Sequence, residues 1–198
     1  MDQLPSLKLL LKHLQQVPYL ASKNIYRVAF HFLDLDENKL EYFCNSILTA
    51  KKNITKCSNC FVLKEKNDKC LFCDSNKRDQ SIVCVIETWQ ELLAIEKTSG
   101  YNGVYHVLNG VISPLDGIGP ENLTIGSLIF RIENGATEII FALNQTPEGE
   151  ATSSYIASKL KGKPVSITCL ARGLPVGSSI EMMDRLTVYK ALSERRPF

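Results

Sequence analysis

Four cysteines impose the strongest constraint on what this chain folds into. Cys57, Cys60, Cys70 and Cys73 form two C-x-x-C pairs separated by nine residues. Two such knuckles can bring four thiolates to one tetrahedral zinc ion. Because four sulfur ligands leave no open coordination position, we expect a structural ion that does not activate water. The sequence therefore predicts a zinc module over residues 54–77.

Two local disulfides and a thioredoxin-like redox pair are the alternatives for these cysteines. They fit less well, because the flanking residues are polar and the start of the chain, Met1-Asp2-Gln3, lacks the basic-then-apolar order of a secretory signal. No apolar run approaches the roughly 20 residues that cross a bilayer. We therefore expect a cytoplasmic protein without a membrane partner. Cys84 and Cys169 lie in apolar, strand-like runs and are expected in the core.

The length and composition indicate a globular chain with one sizeable core and a smaller satellite domain. The chain has 198 residues, of which 44% are hydrophobic. Its formal net charge of +2 is too small to identify a nucleic-acid partner by itself. The choice of partner depends on where the basic residues cluster.

The first 53 residues have helical periodicity and form the first predicted domain. Leucines recur at helical spacing up to Leu14, and Ser22 is expected to cap a second helix. A third helix is predicted over residues 37–50. The short connector at residues 18–22 gives the layout of a helix-hairpin-helix.

From residue 78 onward the pattern alternates between strands and helices. Apolar runs at residues 81–87, 103–107, 138–143 and 165–170 predict strands, and the intervening segments at residues 89–98, 125–135 and 149–160 predict helices. Such alternation is typical of a buried, largely parallel sheet flanked by helices. We assign residues 78–172 to this α/β domain and residues 173–198, with a helix at 181–192, to a C-terminal segment.

Acidic residues follow two of the predicted strands. Glu87 ends the first strand, and Glu148 and Glu150 lie shortly after the third. Functional groups of parallel sheets gather at the carboxyl ends of the strands, so these carboxylates are a candidate Mg²⁺ site. The alternative is that Glu148 and Glu150 occupy the first turn of a helix, where the dipole favours acidic side chains. Asn144, Gln145 and Thr146 stand where a pair of carboxylates would be needed.

Basic residues of the N-terminal helices are candidates for DNA contact, although basic residues on a helix face are more often simply solvated. Lys23 and Arg27 lie one helical turn apart, and Arg172 follows the last predicted strand in a turn rich in glycine and proline. His106 has no paired nucleophile, so we expect a structural histidine.

Taken together, these motifs resemble the RecR family of bacterial recombination mediators over the whole length of the chain. The most specific segments are the four cysteines, residues 105–120 (YHVLNGVISPLDGIGP), residues 148–152 (EGEAT) and residues 171–177 (ARGLPVG). The resemblance implies a helix-hairpin-helix region, a zinc module and a Toprim domain. It also implies a noncatalytic protein that forms a tetrameric ring around DNA and works with RecO, and separately with RecF, to load recombinase onto gapped DNA.

The resemblance also assigns roles to individual residues. It gives DNA contact to Lys23 and Arg27, the Toprim acid to Glu87, and a contact with RecO to Glu148 and Glu150. The family hairpin is usually Pro-Gly-Ile-Gly-Pro-Lys, whereas residues 18–23 here are PYLASK. Because glycine permits positive φ and close approach to phosphate, its loss is expected to weaken or reshape the contact of this hairpin with DNA.

Two further hypotheses stand beside the adaptor. The first is a Mg²⁺-dependent Toprim nuclease or primase-like enzyme that acts through Glu87, Glu148 and Glu150. The second is a zinc-stabilised interaction module without a DNA role. Asn144, Gln145 and Thr146 favour the adaptor over the enzyme, because these neutral side chains replace the pair of carboxylates that would hold the divalent ion, so metal binding should be weak.

Overall fold

The structure is a computed structural model that describes residues 4–195 and residue 197. The chain divides into two compact units, Met1–Ile54 and Thr55–Phe198. In the described ranges no helix is both long and apolar enough to cross a membrane.

The described part of the first unit, from residue 4 onward, folds into three helices. They are α1 (Pro5–Leu14), α2 (Ser22–Asp34) and α3 (Glu37–Asn53). Leu11, Leu14, Ile25 and Ala29 form the centre of their apolar contact. The three helices were predicted from periodicity, but the helix-hairpin-helix interpretation of α1 and α2 stays a prediction.

One detail of the second helix differs from the sequence prediction. Ser22 is the first helical residue and not the cap, because Ala21 occupies the cap position and no side chain caps the helix there. A Ser before an apolar run indicates a helix start only to within a residue or two. In contrast, the Asp36 side chain accepts a hydrogen bond from the backbone of Asn38 and caps α3.

The second unit contains two sheets. Strands β1 (Ile54–Lys56) and β2 (Leu63–Glu65) pair in a small ribbon. The larger sheet is formed by β3 (Asp79–Ile86), β4 (Gly103–Val107), β5 (Glu138–Phe141) and β6 (Ser166–Cys169). Across the sheet, the strands lie in the order β4-β3-β5-β6. All three pairings are parallel, which confirms the predicted parallel α/β architecture.

The helices α4 (Trp89–Glu96), α5 (Ile125–Glu133) and α6 (Pro147–Lys159) connect the parallel strands and contribute to the core. The C-terminal α7 (Arg185–Ser193) follows the last strand and has no buried residue. One apolar cluster includes Val85, Leu128 and Ile156, and another joins the cysteine module to Ile86 and Tyr105. The zinc-module candidates therefore pack directly on the larger sheet.

Two predictions for the end of the chain were wrong in part. All four residues of β6 are exposed, so Cys169 is not in the core, whereas Cys84 is buried as predicted. The last helix begins at Arg185 and not near residue 181, because the Asp184 side chain accepts hydrogen bonds from the backbone of Leu186 and Thr187 and caps it there.

Candidate functional site

The four cysteines predicted as metal ligands converge at one point. Cys57, Cys60, Cys70 and Cys73 place their sulfur atoms within 4.8 Å of one another, and none of them forms a disulfide. Four thiolates on a tetrahedral zinc ion would lie about 3.8 Å apart, given a Zn–S distance near 2.3 Å. The four sulfur ligands and their spacing therefore fit a metal ion. The two local disulfides considered from the sequence are not formed by these four cysteines.

Hydrogen bonds of the backbone amides hold the two cysteine knuckles in place. The Cys57 amide donates to the Val62 carbonyl at 2.8 Å, and the Phe61 amide donates to the Cys57 carbonyl at 3.0 Å. Phe61 adopts a φ of 62°, which closes the first knuckle. In the second knuckle, the Cys70 amide donates to the Asp74 carboxylate at 2.6 Å.

Polar groups around the sulfurs favour thiolate at one position. A hydrogen bond with Cys60 lowers the pKa of Cys73 to about 6, against the opposing effect of burial, and the charge of Arg131 lowers it further. The Asn59 side-chain amide also approaches the Cys73 sulfur at 3.6 Å. Donors that stabilise thiolate also support a thiolate ligand of a metal ion.

Glu87 lies at the carboxyl end of β3, where the sequence placed it, and it is held by Asn144. The Asn144 backbone amide donates to one carboxylate oxygen of Glu87 at 2.5 Å, and the Asn144 side-chain amide donates to the other at 2.9 Å. Glu87 is largely buried. Asn144 therefore acts as the neutral partner of this carboxylate, a role that the sequence analysis did not assign.

A second carboxylate reaches the same amide. The Asn144 side chain also donates to Glu91 at 3.3 Å, and the Glu91 carboxylate accepts hydrogen bonds from the backbone and hydroxyl of Thr88. Burial alone raises the pKa of Glu91, but the bonds from Thr88 and Asn144 bring the pKa below its ordinary value. The Glu91 carboxylate is thus stabilised in the charged form by hydrogen-bond donors.

Glu148 and Glu150 lie in the first turn of α6, as the alternative hypothesis held. One Glu150 oxygen accepts from Arg172 at 3.0 Å and from Lys190 at 2.8 Å. These two ion pairs connect α6 to the turn after β6 and to α7. Arg172 therefore meets a carboxylate of its own chain.

The three acidic candidates do not converge on one point. Within residues 4–195, the cysteine cluster is the single group of three or more Cys, His, Asp or Glu side chains whose ligand atoms come close enough to share an ion. A cavity of about 470 Å³ opens beside Glu91, Asn144, Arg172 and Lys190. Of its charged groups, Glu91 accepts hydrogen bonds from Asn144 and Thr88, and Arg172 and Lys190 form ion pairs with Glu150.

The glycine- and proline-rich loop after β4 has a defined shape. Ser113 and Ile118 form an antiparallel bridge, and the Ser113 hydroxyl donates to Asp116 at 2.6 Å. The buried Thr152 hydroxyl accepts from the Ile112 amide at 2.9 Å and donates to the Glu148 carbonyl at 2.7 Å. Two segments far apart in sequence are therefore joined through one hydroxyl.

His106 is fully buried, which agrees with a structural role. One ring nitrogen contacts the carbonyl and the hydroxyl of Thr124 at 3.1 and 3.0 Å. Burial lowers the pKa of His106 to about 3, and the nearby Arg131 charge contributes. The Arg131 guanidinium donates to the Tyr105 carbonyl at 2.6 Å.

The residues predicted to contact DNA are exposed on α2. Lys23 and Arg27 are separated by four residues, so they lie on the same face of the helix. In the preceding hairpin, Tyr19 adopts a φ of 64°. The backbone at this position is therefore left-handed, a conformation that glycine favours, although the residue is a bulky tyrosine.

The sequence is similar to known proteins over most of its length. Residues 81–171 match the family model of the Toprim domain, and residues 173–196 match the model described as RecR, C-terminal. The chain is similar to "Recombination protein RecR" of Staphylococcus aureus strain MRSA252 and of strain Newman. Each is 41% identical over 187 residues, which cover 94% of this chain and 94% of the relative.

Proposed function

Because the chain belongs to the RecR family, we propose that it is a noncatalytic, DNA-binding adaptor in recombinational DNA repair. Family membership carries this proposal, since the similarity extends over nearly the whole chain and includes its C-terminal segment. We further propose that it acts in the bacterial cytoplasm and helps to load recombinase onto gapped DNA.

The contacts of Glu87 support an adaptor over the Mg²⁺-dependent enzyme. Phosphoryl transfer needs several oxygen ligands directed at one metal ion. Here Asn144 donates to both oxygens of Glu87, and Glu150 binds Arg172 and Lys190. A Mg²⁺ ion at Glu87 would therefore compete with two amide donors for the carboxylate oxygens.

For the cysteine cluster we propose a structural zinc ion. The four sulfurs of Cys57, Cys60, Cys70 and Cys73 would complete a tetrahedral site without a water ligand. The ion would fix the two knuckles against the buried face of the larger sheet, to which Cys60 and Phe72 also contribute. It would supply folding free energy and no chemistry.

We propose that RecO and RecF are partners and that the protein assembles as a ring-like tetramer. Exposed apolar residues in the C-terminal segment support contact with a second copy of the chain, because such residues are otherwise costly to leave in water. The most exposed include Val176, Ile180, Met182 and Tyr189.

For RecO we propose a contact at Glu148 and Glu150. The structure gives these two residues different surroundings, since Glu150 also holds Arg172 and Lys190. Glu148→Gln is therefore expected to weaken RecO binding without loosening the C-terminal segment. Glu150→Gln is expected to do both, as measured by titration calorimetry and by the rate of limited proteolysis. Unchanged RecO affinity in both variants would refute the contact.

The DNA-binding part of the proposal can be tested through Lys23 and Arg27. Each phosphate contact contributes a slope of about −0.9 to the dependence of log K on log salt concentration for duplex DNA. The double variant Lys23→Ala with Arg27→Ala should therefore bind DNA more weakly, with a slope shallower by about 1.8. Lys97→Ala with Lys161→Ala removes the same charge from exposed positions in the other unit and serves as the control. Equal effects of the two double variants would contradict a specific role for α2.

A further inference from the structure

The hairpin between α1 and α2 holds an aromatic residue in a backbone conformation that aromatic residues rarely adopt. The Leu20 amide donates to the Val17 carbonyl at 3.3 Å, which closes a four-residue turn with Pro18 and Tyr19 at its centre. Tyr19 has a φ of 64°. A turn with proline at the second position and positive φ at the third follows the type II pattern, in which the third residue is normally glycine. Positive φ in a bulky residue is unfavourable and tends to mark functional sites.

The turn leaves Tyr19 fully exposed to solvent. Leu20 packs against the apolar cluster of α1 and α2. The side chain of Tyr19 is 105% exposed, so it makes no apolar contact that would offset its backbone conformation. The stability of the folded chain therefore does not explain a tyrosine here, and glycine would satisfy the turn better.

Positive charge follows directly along the chain. Lys23 and Arg27 lie in the first two turns of α2, and both are exposed. Four Cα–Cα steps separate Tyr19 from Lys23, so the two Cα atoms are at most about 15 Å apart. An exposed aromatic ring beside cations is the combination that binds single-stranded nucleic acid, because the cations bind phosphates and the ring stacks on a base.

We propose that Tyr19 stacks on an unpaired nucleobase and gives the hairpin a preference for single-stranded or gapped DNA over duplex. The inference rests on the proposed DNA-binding function and assigns a ligand to one of its residues. A fully paired duplex offers no free base face to the ring, whereas every unpaired base does. Because Tyr19 is fully exposed in this turn, an unpaired base can reach its ring.

The test compares variants that separate the ring from the turn. Tyr19→Gly removes the ring and suits the positive φ, so it should fold at least as well as the parent chain. Tyr19→Phe keeps the ring and removes only the hydroxyl. The full-length proteins are titrated with a gapped duplex that carries 2-aminopurine in the gap, with the same duplex without a gap, and with a gapped duplex whose gap consists of abasic residues.

If the ring stacks on a base, Tyr19→Gly lowers the affinity for the gapped duplex roughly 5- to 150-fold and changes the affinity for intact duplex less than about twofold. It also abolishes the quenching of 2-aminopurine that the parent chain and Tyr19→Phe produce. The abasic gap should bind the parent chain and Tyr19→Gly equally.

Three results would overturn the inference. They are an equal loss on gapped and intact duplex, an unchanged affinity for gapped duplex, and a loss that accompanies a change in subunit number by light scattering, which would place Tyr19 in a contact between copies of the chain. The Lys23→Ala, Arg27→Ala double variant separates the stacking role of Tyr19 from the proposed DNA-binding function. If it weakens binding to both DNAs while Tyr19→Gly has no effect, only the stacking role is refuted. If the parent chain binds neither DNA, the proposed function fails as well.

Discussion

Asn144 donates hydrogen bonds to both carboxylate oxygens of Glu87, at 2.5 Å from its backbone and 2.9 Å from its side chain. The pair joins the ends of β3 and β5, which are neighbours in the parallel sheet. In a metal-dependent site, a second carboxylate at this point would share a cation with Glu87. An amide satisfies the same carboxylate without a cation.

Asn144→Asp tests this relationship directly. It replaces a donor by a negative charge next to Glu87 and Glu91, so the folded state should lose about 1–3 kcal/mol at neutral pH. Mg²⁺ should recover part of that loss, because three carboxylates would then surround one point. The measurement is thermal unfolding with and without Mg²⁺.

The matched control for this variant is Gln145→Glu, which adds the same charge one residue further along at an exposed position. It should change stability by less than about 0.5 kcal/mol and show no response to Mg²⁺. An Asn144→Asp protein as stable as its parent would mean that the hydrogen bonds to Glu87 do little for the fold.

Gly149 is required by a close approach of α6 to the preceding strand end. A Cβ at this position would overlap the carbonyl oxygen of Asn144, which is backbone and cannot rotate away. Gly149→Ala should therefore destabilise the protein by about 3 kcal/mol and disturb the bonds between Asn144 and Glu87.

Gly126→Ala is the control for this substitution. Gly126 is also helical, but a Cβ there meets nothing within 4 Å. Alanine at this exposed helical position should be neutral or stabilise by about 0.5 kcal/mol. Chemical denaturation of both variants gives the comparison, and equal effects would show that the packing of α6 against Asn144 tolerates a methyl group.

The zinc proposal predicts a large difference between two cysteines. Cys70→Ser should abolish the binding of about one zinc ion per chain and cost several kcal/mol, because the ion contributes directly to folding. Cys44→Ser, at an exposed position outside the cluster, should change neither property. Elemental analysis and thermal unfolding measure both. Full zinc content in the Cys70→Ser protein would contradict a four-sulfur site.

His106 gives the fold a defined pH dependence. Its folded-state pKa of about 3 lies below the ordinary value of 6.5, so the unfolded chain binds a proton that the folded chain does not between these values. The stabilising contribution is complete above pH 6.5 and is lost as the pH falls towards 3, by at most about 1.4 kcal/mol per pH unit.

The His106→Gln variant isolates this effect, because its side chain does not titrate. The unfolding free energy of the parent chain should fall more steeply than that of the variant between pH 6.5 and 5, with both proteins kept saturated with zinc. Parallel curves would refute the assignment of this pH dependence to His106.

Much of the fold follows from local sequence patterns. Strand β4 was predicted with the bounds that the structure shows, and α4 and α5 begin at the predicted residues, because their periodicity is strong and uninterrupted. The four metal-ligand candidates also follow from spacing alone, since both knuckles are local.

The rest depends on tertiary contacts that a sequence pattern does not contain. Glu87 meets Asn144 across 57 positions, and Glu150 meets Arg172 and Lys190 across 22 and 40 positions. These pairs depend on how distant strands and helices pack together in the folded chain. The start of α7 is an exception, because its signal is local. Asp184 is a residue type that favours the cap position of a helix, and its side chain accepts from the backbone amides two and three residues later. This residue could have located the start of α7 from the sequence.

The central claim is that this protein binds DNA through its phosphates and does no chemistry on it. The most direct measurement is a titration of zinc-loaded protein with a fluorescent gapped duplex in Mg²⁺ at several salt concentrations, followed by electrophoresis of the recovered DNA. We predict that affinity falls steeply as salt rises and that the DNA stays intact. Cleaved or extended DNA, with the activity lost in Glu87→Gln, would contradict the claim.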